Sequence, residues 1–597
     1  MKVNRLTLND IFDRTERLDA PIFQRPYVWN EDKNWEPLWE SIKNICDKKL
    51  VNVTTRPHFI GTIVLEQIHT TTGKLNIRQI IDGQQRLTTF QLALAALRDL
   101  CVKQNEKRYA ETFEKLTTNS VPLSESDEDT FKVWPTNIDR DIYKKVMSAR
   151  TPNGVRRIEE ENGESRIPSA YIYFLERFDD WLGTAGTEEF QKRLQCLYFT
   201  FRDNLHLVVI DLEQDDDAQE IFETLNALGT PLLPADLVKN YLFHLAGIQK
   251  LNVEDLYKKY WSSFDSENNY WRKETRQGRF KRPRLDYFLG HYLTLMMVDE
   301  VPATQLFSAY RDYVQGCEDK GVEKQMEKFR EYAEIYKSFE EFTPESREGL
   351  FFERLDCMDT STLHPVLLEL LRIKNVKDQK QELLSILLDF ESFLVRRTIC
   401  ELTTKNYNKL FIGLLKELRE KEFNQKNIRE YLLNQKTDIS RWPDDEELLK
   451  AWKNNEFYKR QKRGRGPMIL KALEAELHTK KTERLKYDDD LTIEHLLPEK
   501  WEKHWPLKAQ EKTPEYKEQE EIRESHLHRV GNLTLLTKVL NPSISNGPWD
   551  KKLPEILKHS ALNLNRLLPK KWDEAAIDSR SEDLFKLVIK IWPYPKD

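Results

Sequence analysis

The sequence holds only six cysteines in 597 residues, Cys46, Cys101, Cys196, Cys317, Cys357 and Cys400, and no two of them form a Cys-x-x-Cys pair. That scatter excludes a disulfide framework and a cysteine-ligated zinc site, so the six read as ordinary cytosolic thiols. No run approaches the roughly 18 uncharged apolar residues a membrane helix needs. The opening MKVNRLTLNDIFDR also lacks an apolar stretch of signal-peptide length, and a cytoplasmic protein without membrane contact is expected. The Walker loop, Gly and Gly-Lys-Ser/Thr separated by four residues, is missing, which removes a P-loop ATPase. Basic charge is not in excess: 94 Lys and Arg against 100 Asp and Glu leave −6. Any polyanion must therefore be met by local patches, not by the overall field.

What is present is apolar surface for large cores, 39% hydrophobic and 11% aromatic, beside 32% charge and a mean hydropathy of −0.69. The length is several times the roughly 100 to 200 residues of an ordinary domain. Glycine is scarce, at 19, and long stretches carry apolar residues at i, i+3, i+4 and i+7. A mainly α chain with small β islands, an α+β arrangement, is predicted. The islands are His58 to Gln67 and Leu75 to Gly83, which read as a hairpin across TTTGK, and His206 to Leu212. Arg86 to Leu100 reads as an amphipathic helix, residues 149 to 168 as an exposed insertion, and 215 to 243 as helix, Gly229 stop, turn and a new helix near Pro234. Residues 250 to 450 follow helical periodicity throughout. A short strand LTIEHLLP, a charged loop, a strand HRVGNLTLL and a final helix close the chain. Three domains are expected, 1–245, 246–440 and 441–597.

The last of these carries an ordered set: Glu494-His495 before Pro498, then Asn532 after Arg529-Val530-Gly531, then Asn541 and Asn546. A divalent-metal nuclease needs a neutral imidazole to deprotonate water, oxygen ligands for a hard cation and an amide that holds the imidazole in its working tautomer. Singly, each residue is also an ordinary strand-end or turn residue. As a set, IEHLLP, HRVGNLTLL and LNPSISNGPWDKK resemble the HNH (ββα-metal) nucleases. The resemblance implies His495 as general base, Asn532 as the group that orients it, and Glu494 with Asn541 as ligands of Mg²⁺, Mn²⁺ or another divalent ion, with Asn546 as the alternative second ligand. Lys551 or Lys552 would contact phosphate or lie on solvated surface, and His526 and His528 are expected as scaffold near the site. Upstream, Lys459, Arg460, Lys462, Arg463 and Arg465 fall within seven residues, a density suited to DNA phosphates, with a solvated charge run as the plain alternative.

At the other end, Ile81-Asp82-Gly83-Gln84-Gln85-Arg86 joins a strand directly to a helix. Free N–H groups and the positive dipole end at such a junction suit an anion, and Arg86 adds a forked cation. Asp82 as a cap and Gly83 as a turn residue is the plain alternative. PIFQRPYVWN, FIGTIVL, IDGQQRLTTF, IFETLNALGTPL and DLVKNYLF stand in the order and spacing of the N-terminal domain of GmrSD-like type IV restriction enzymes, which is similar to the ParB/sulfiredoxin fold. VRRTICELTTKNYNKLF, near 395 to 410, also resembles that family.

This resemblance implies binding and hydrolysis of a nucleoside triphosphate (NTP), coupled to cleavage of modified foreign DNA in antiphage defence. Asp82, Gly83, Gln84, Gln85 and Arg86 carry over as the nucleotide motif, with Gln24 and Arg25 as companions. Asp82 would bind metal or polarise water, and the two glutamine amides would read the phosphates or place that water. The partners implied are double-stranded DNA, modified phage DNA above all, and NTP, with a homodimer left open. Two other readings stand beside this one: a nucleotide-binding regulator or DNA-binding protein with an inactive HNH unit, and an abortive-infection nuclease acting on host DNA or RNA. Trp271 to Arg284, with seven basic residues and one acidic among flanking aromatics, either grips DNA backbone and stacks an extruded base or is a helical core with a basic outer face.

Overall fold

The computed structural model describes all residues except 69–73, 121–125, 164, 214–232, 267–269, 279, 375–378, 462–463, 479–490, 545 and 596–597. It is 63% helical, mainly α with small sheets. The chain forms two compact units, Met1–Lys259 and Tyr260–Asp597.

In the first unit, β1 (Lys2–Thr7), β2 (Glu16–Asp19), β3 (His58–Gln67), β4 (Asn76–Asp82), β5 (Val133–Trp134) and β6 (Leu205–Leu212) form one mixed sheet in the order β1-β6-β3-β4-β2-β5. The expected hairpin is there: β3 and β4 pair antiparallel, with a register shift between Val64 and Leu65. β6 lies parallel to β3 and antiparallel to β1. Pairing on both edges explains why its run is nearly all apolar.

The helix after β4 spans Gln84–Lys103, and every residue from Leu87 to Cys101 is buried. It is therefore a core helix packed on all sides, not the amphipathic surface helix its sequence suggests. The helices Lys107–Thr117 and Arg166–Leu182 pack against it. Its buried charges are paired internally: Arg98 Nε donates to Asp99 at 2.7 Å, and Tyr171 donates its hydroxyl to the same carboxylate at 2.7 Å.

Residues 149 to 168 also depart from expectation. Pro152–Glu161 is a helix whose N-cap, Thr151, accepts from the Gly154 N–H, and the next helix begins at Arg166. Thr-Pro is an N-cap followed by an N1 proline, a start signal that the charge of the segment obscured. Of the segment read around 215 to 243, residues 214–232 lie outside the described residues; Pro234 does begin a helix, Pro234–Ile248.

The second unit is helical apart from two small sheets among the described residues. A hairpin of β7 (Glu274–Gln277) and β8 (Phe280–Pro283) interrupts the stretch expected to be helical throughout. β9 (Leu491–His495) and β10 (Leu533–Thr537) pair antiparallel with Leu533 opposite His495 and Thr534 opposite Glu494. The charged segment between them contains a helix, Pro514–Leu527, with only Arg523, His526 and Leu527 buried, which is why it reads as loop.

Arg396 and Arg397 on the Lys380–Ile399 helix are fully buried. Arg396 donates to the Trp592 and Pro443 carbonyls and to Asp445. Arg397 donates to the Arg441, Thr403 and Ile439 carbonyls. Their forks fasten the segment before the β9–β10 region, and the chain's last turn, to one helix.

Candidate active site and nucleotide motif

β9 ends at His495, and Leu496-Leu497-Pro498 turns away beneath it. Asn532, fully buried, holds this turn: its Oδ1 accepts from the Leu497 N–H at 2.7 Å, and its Nδ2 donates to the Leu497 and Leu527 carbonyls, each at 2.8 Å. Trp572 also donates its indole N–H to Oδ1. With both ends of its amide committed to these partners, Asn532 anchors the turn that follows His495. Gly531 beside it admits no side chain, since an added Cβ would stand 2.2 Å from the Ile577 carbonyl oxygen of the final helix.

The His495 ring is largely buried. Its Nε2 lies 3.2 Å from His528 Nδ1 and 3.6 Å from Glu499 Oε1, and the three ligand atoms fall within 4.8 Å of one another. Burial, reinforced by His528 and Lys552, lowers the His495 pKa to about 3, so the ring is a neutral base at physiological pH. Burial lowers His528 as well, with Lys459 adding to it and Glu499 opposing. Tyr458 packs on both rings, edge-on to His495 at 4.4 Å and stacked on His528 at 5.9 Å.

Of the expected metal ligands, Glu494 is paired with the buried Lys552, which donates to Oε1 and to the His495 carbonyl. Burial raises Glu494, while the ammonium opposes that shift. Lys552 is therefore neither a phosphate contact nor surface. Asn541 donates its amide to Thr492 Oγ1 and the Ile493 carbonyl, next to Glu494 on β9; Asn546 is exposed. The structure adds two donors that the motif does not reveal: Glu499, one turn's spacing beyond His495, and His528, expected as scaffold. His526 is scaffold, hydrogen-bonded to Asp578 and the Ile522 carbonyl.

Two donor sets thus surround His495. Glu494 with Asn541 is oxygen-rich and suits Mg²⁺ or Mn²⁺ once Lys552 yields the carboxylate, whereas His495, Glu499 and His528 suit a softer ion such as Zn²⁺ or Ni²⁺.

The basic run begins at this site, because Tyr458 donates its N–H to the His528 carbonyl. Lys459 and Arg460 are exposed and make surface ion pairs, with Glu456 and at 3.7 Å with Glu401. Arg465 instead donates to the Met358 carbonyl, and Lys462 and Arg463 lie outside the described residues. Replacing Lys459, Arg460, Lys462 and Arg463 by Gln is expected to weaken DNA binding. The plot of log affinity against log salt should flatten by about 0.9 for each phosphate that is no longer neutralised. A slope equal to that of the unaltered protein would make the run solvated surface.

In the first unit, the segment Asp82 to Arg86 is hydrogen-bonded to the strap Gln24 to Val28. Gln84 donates to the Arg25 carbonyl; Gln85 donates to Pro26 and accepts from Val28; Gln24 donates to Ile80 and Ile81. These three amides hold backbone, a role different from the phosphate reading expected for Gln84 and Gln85. Gly83, at φ +95°, is the left-handed N-cap of the Gln84–Lys103 helix, and a Cβ there would meet Ile63 at 2.6 Å. Asp82 and Arg86 flank it. Burial pushes each toward neutrality and the charge of each opposes the shift of the other, with Arg25 and the Gly83 N–H also favouring the carboxylate. Arg86 Nη1 donates to the Thr62 carbonyl at 2.6 Å.

No curated protein matches the chain. Two family profiles do: residues 8–243 match the N-terminal domain of the GmrSD restriction endonuclease, and residues 442–587 match the C-terminal domain of the GmrSD restriction endonucleases. The molecule is a restriction endonuclease, an enzyme whose substrate is DNA. With both domains at their expected positions, the chain belongs to the GmrSD family. None of its described helices is long and apolar enough to cross a membrane.

Proposed function

We propose that the chain is a type IV enzyme that cleaves modified phage DNA in antiphage defence, with an HNH-type hydrolytic centre at His495 and an NTP-binding and hydrolysing centre at Asp82 to Arg86. The observation that carries the hydrolytic part is His495, buried at the end of β9 beside the turn that Asn532 anchors, with carboxylates at 494 and 499. His495 accepts the proton of the attacking water. Asn532 keeps the turn after His495 rigid, and Tyr458 and His528 limit ring rotation. A divalent ion, when bound, polarises the phosphoryl oxygens and steadies the leaving oxygen. Glu494 and Asn541, or Glu499 and His528 with His495, would hold it; the second set makes His495 a ligand, and its base then has to be a different nitrogen or group.

Metal removal separates these sets. EDTA is expected to abolish cleavage of plasmid and of modified phage DNA, and Mg²⁺ to restore it. Glu494→Gln should then raise the Mg²⁺ concentration for half-maximal cleavage about tenfold or more, with Glu499→Gln having the smaller effect. A larger effect at Glu499, with restoration by Ni²⁺ or Zn²⁺ but not Mg²⁺, moves the ion to the histidine set. Cleavage that persists in EDTA would overturn metal dependence.

For the first centre, the N–H groups at the start of a twenty-residue helix, the Gly83 turn and the Asp82–Arg86 pair support the triphosphate reading. Gln24, Gln84 and Gln85 act there by fixing the strap that carries Arg25.

A further inference from the structure

The basic and aromatic segment Trp271 to Arg284 is largely structural: Trp271 is a core residue packed on Phe264 and Phe288, and Arg272, Lys281 and Arg284 are paired with Asp265, Glu274 and Glu340. Unused chemistry lies instead beside His495. Among the described residues, one group of three metal-ligating side chains brings its ligand atoms together: His495, Glu499 and His528. Neither Glu494 nor Asn541 belongs to it.

The three ligand atoms form a triangle. His495 Nε2 stands 3.2 Å from His528 Nδ1 and 3.6 Å from Glu499 Oε1, and the third edge, from His528 Nδ1 to Glu499 Oε1, is 3.9 Å. Ligands of a tetrahedral zinc ion, each about 2.0–2.2 Å from the metal, stand about 3.3–3.6 Å from one another. A hydrogen bond between the rings accounts for the first edge only. At 3.6 and 3.9 Å the carboxylate is hydrogen-bonded to neither ring. It nonetheless faces both, within a few tenths of an ångström of the separation a shared ion requires.

Two corners of the triangle are already held. Asn532 anchors the turn after His495, the Tyr458 N–H donates to the His528 carbonyl at 3.1 Å, and the Tyr458 ring packs on both imidazoles. Both imidazoles are buried, whereas the Glu499 side chain is half-exposed and free to close the third corner. Little ordering is left for an ion to impose. Two imidazoles and one carboxylate are a zinc donor set, softer than the oxygen ligands that Mg²⁺ takes.

We propose that His495, Glu499 and His528 form a Zn²⁺ site, separate from that of the hydrolytic ion, which switches cleavage off by taking up His495 Nε2. The functional half rests on the reading of His495 as general base and of Glu494 with Asn541 as holders of the hydrolytic ion. An imidazole nitrogen bound to an ion has no lone pair left to accept the proton of water. The hydrogen between the rings leaves that edge when Zn²⁺ enters, so one ring shifts to its other neutral tautomer and each keeps its N–H on the far nitrogen. Three protein ligands leave the fourth position of the ion to water.

The test titrates the full-length protein, stripped with EDTA and exchanged into chelator-free buffer, with Zn²⁺ in competition with a chromogenic chelator. One tight site per chain is expected, together with a rise in melting temperature on adding Zn²⁺. Glu499→Gln and His528→Ala should each weaken that site about tenfold or more, and Glu494→Gln should leave its affinity within about threefold. Melting temperatures in EDTA report the fold of each variant. With Mg²⁺ present, Zn²⁺ at the concentration that fills the site should stop cleavage of phage DNA. Raising Mg²⁺ tenfold should move the inhibitory midpoint by less than about twofold, because the two ions do not compete for one site. No tight site, unaltered zinc affinity in both the Glu499 and His528 variants, inhibition that Mg²⁺ reverses in proportion, or cleavage supported by Zn²⁺ alone would overturn the proposal. Intact zinc binding at these residues in protein that does not cleave DNA in Mg²⁺ removes only the nuclease reading, because the binding is measured without it.

Discussion

His495→Ala is expected to lower DNA cleavage by on the order of 100- to 10,000-fold while NTP hydrolysis stays within a few-fold of the unaltered protein. The size follows from the environment of the ring. Its neighbours at hydrogen-bond range or just beyond are His528, itself lowered in basicity by burial, and Glu499, half-exposed at 3.6 Å. His528 Nδ1 and the Glu499 carboxylate start from other positions than the lost Nε2, at 3.2 and 3.6 Å from it, so neither takes its place when the imidazole is removed. Retained NTP hydrolysis shows that the two centres are separable, since it depends on residues of the other compact unit, and an unchanged melting temperature and DNA affinity serve as the folding control for the unit that carries His495. Cleavage by the purified variant at the unaltered rate would remove His495 from the chemistry.

Arg86→Ala should lose NTP binding on the order of tenfold or more, the scale of a charge-assisted hydrogen bond removed from a site largely closed to water. Arg86 is the forked cation of the motif, and its guanidinium is pinned at Thr62 and packed against Gly61, where an added Cβ would fall 2.6 Å from Cζ. The γ-phosphate charge held there would form a local clamp, so its loss on hydrolysis changes the order of the surrounding turns. Cleavage by the variant is therefore expected to lose its dependence on NTP, measured with and without nucleotide on modified and unmodified DNA. Normal hydrolysis would end the phosphate-binding role. Lost hydrolysis with identical cleavage under all four conditions would leave a nucleotide site without linkage to the nuclease.

Helix and strand content were legible where the local pattern was strong. β3 and β4 are two β-branched runs that pair antiparallel, and β9 and β10 are short apolar runs with clear ends. Other elements left a weak trace. β1 is exposed over four of its six residues and exists because β6 pairs with it from two hundred positions away. The Pro514–Leu527 helix shows water nearly all of its surface, and β7–β8 is a short polar hairpin within helical periodicity. In the candidate site, the Glu494-His495, Asn532 and Asn541 order was readable as a motif. The partners of each residue were not, because hydrogen bonds and ion pairs depend on which distant side chains arrive.

The sequence by itself determined the mainly α class with its β islands, the absence of a cysteine scaffold and the two family motifs, since composition, periodicity and residue order are local properties of the chain. Tertiary structure alone decided the contacts of single side chains. Pairing β9 with β10 set Thr534 opposite Glu494, and the fold closed Lys552 onto that carboxylate, turning a surface lysine into a buried counter-ion. It brought His528 and Glu499 to His495, and it set the Gln24, Gln84 and Gln85 amides against backbone carbonyls. The physical reason is the same in each case. A buried polar group must find a partner, and which partner it finds is fixed by packing between segments far apart in sequence, which no local pattern records.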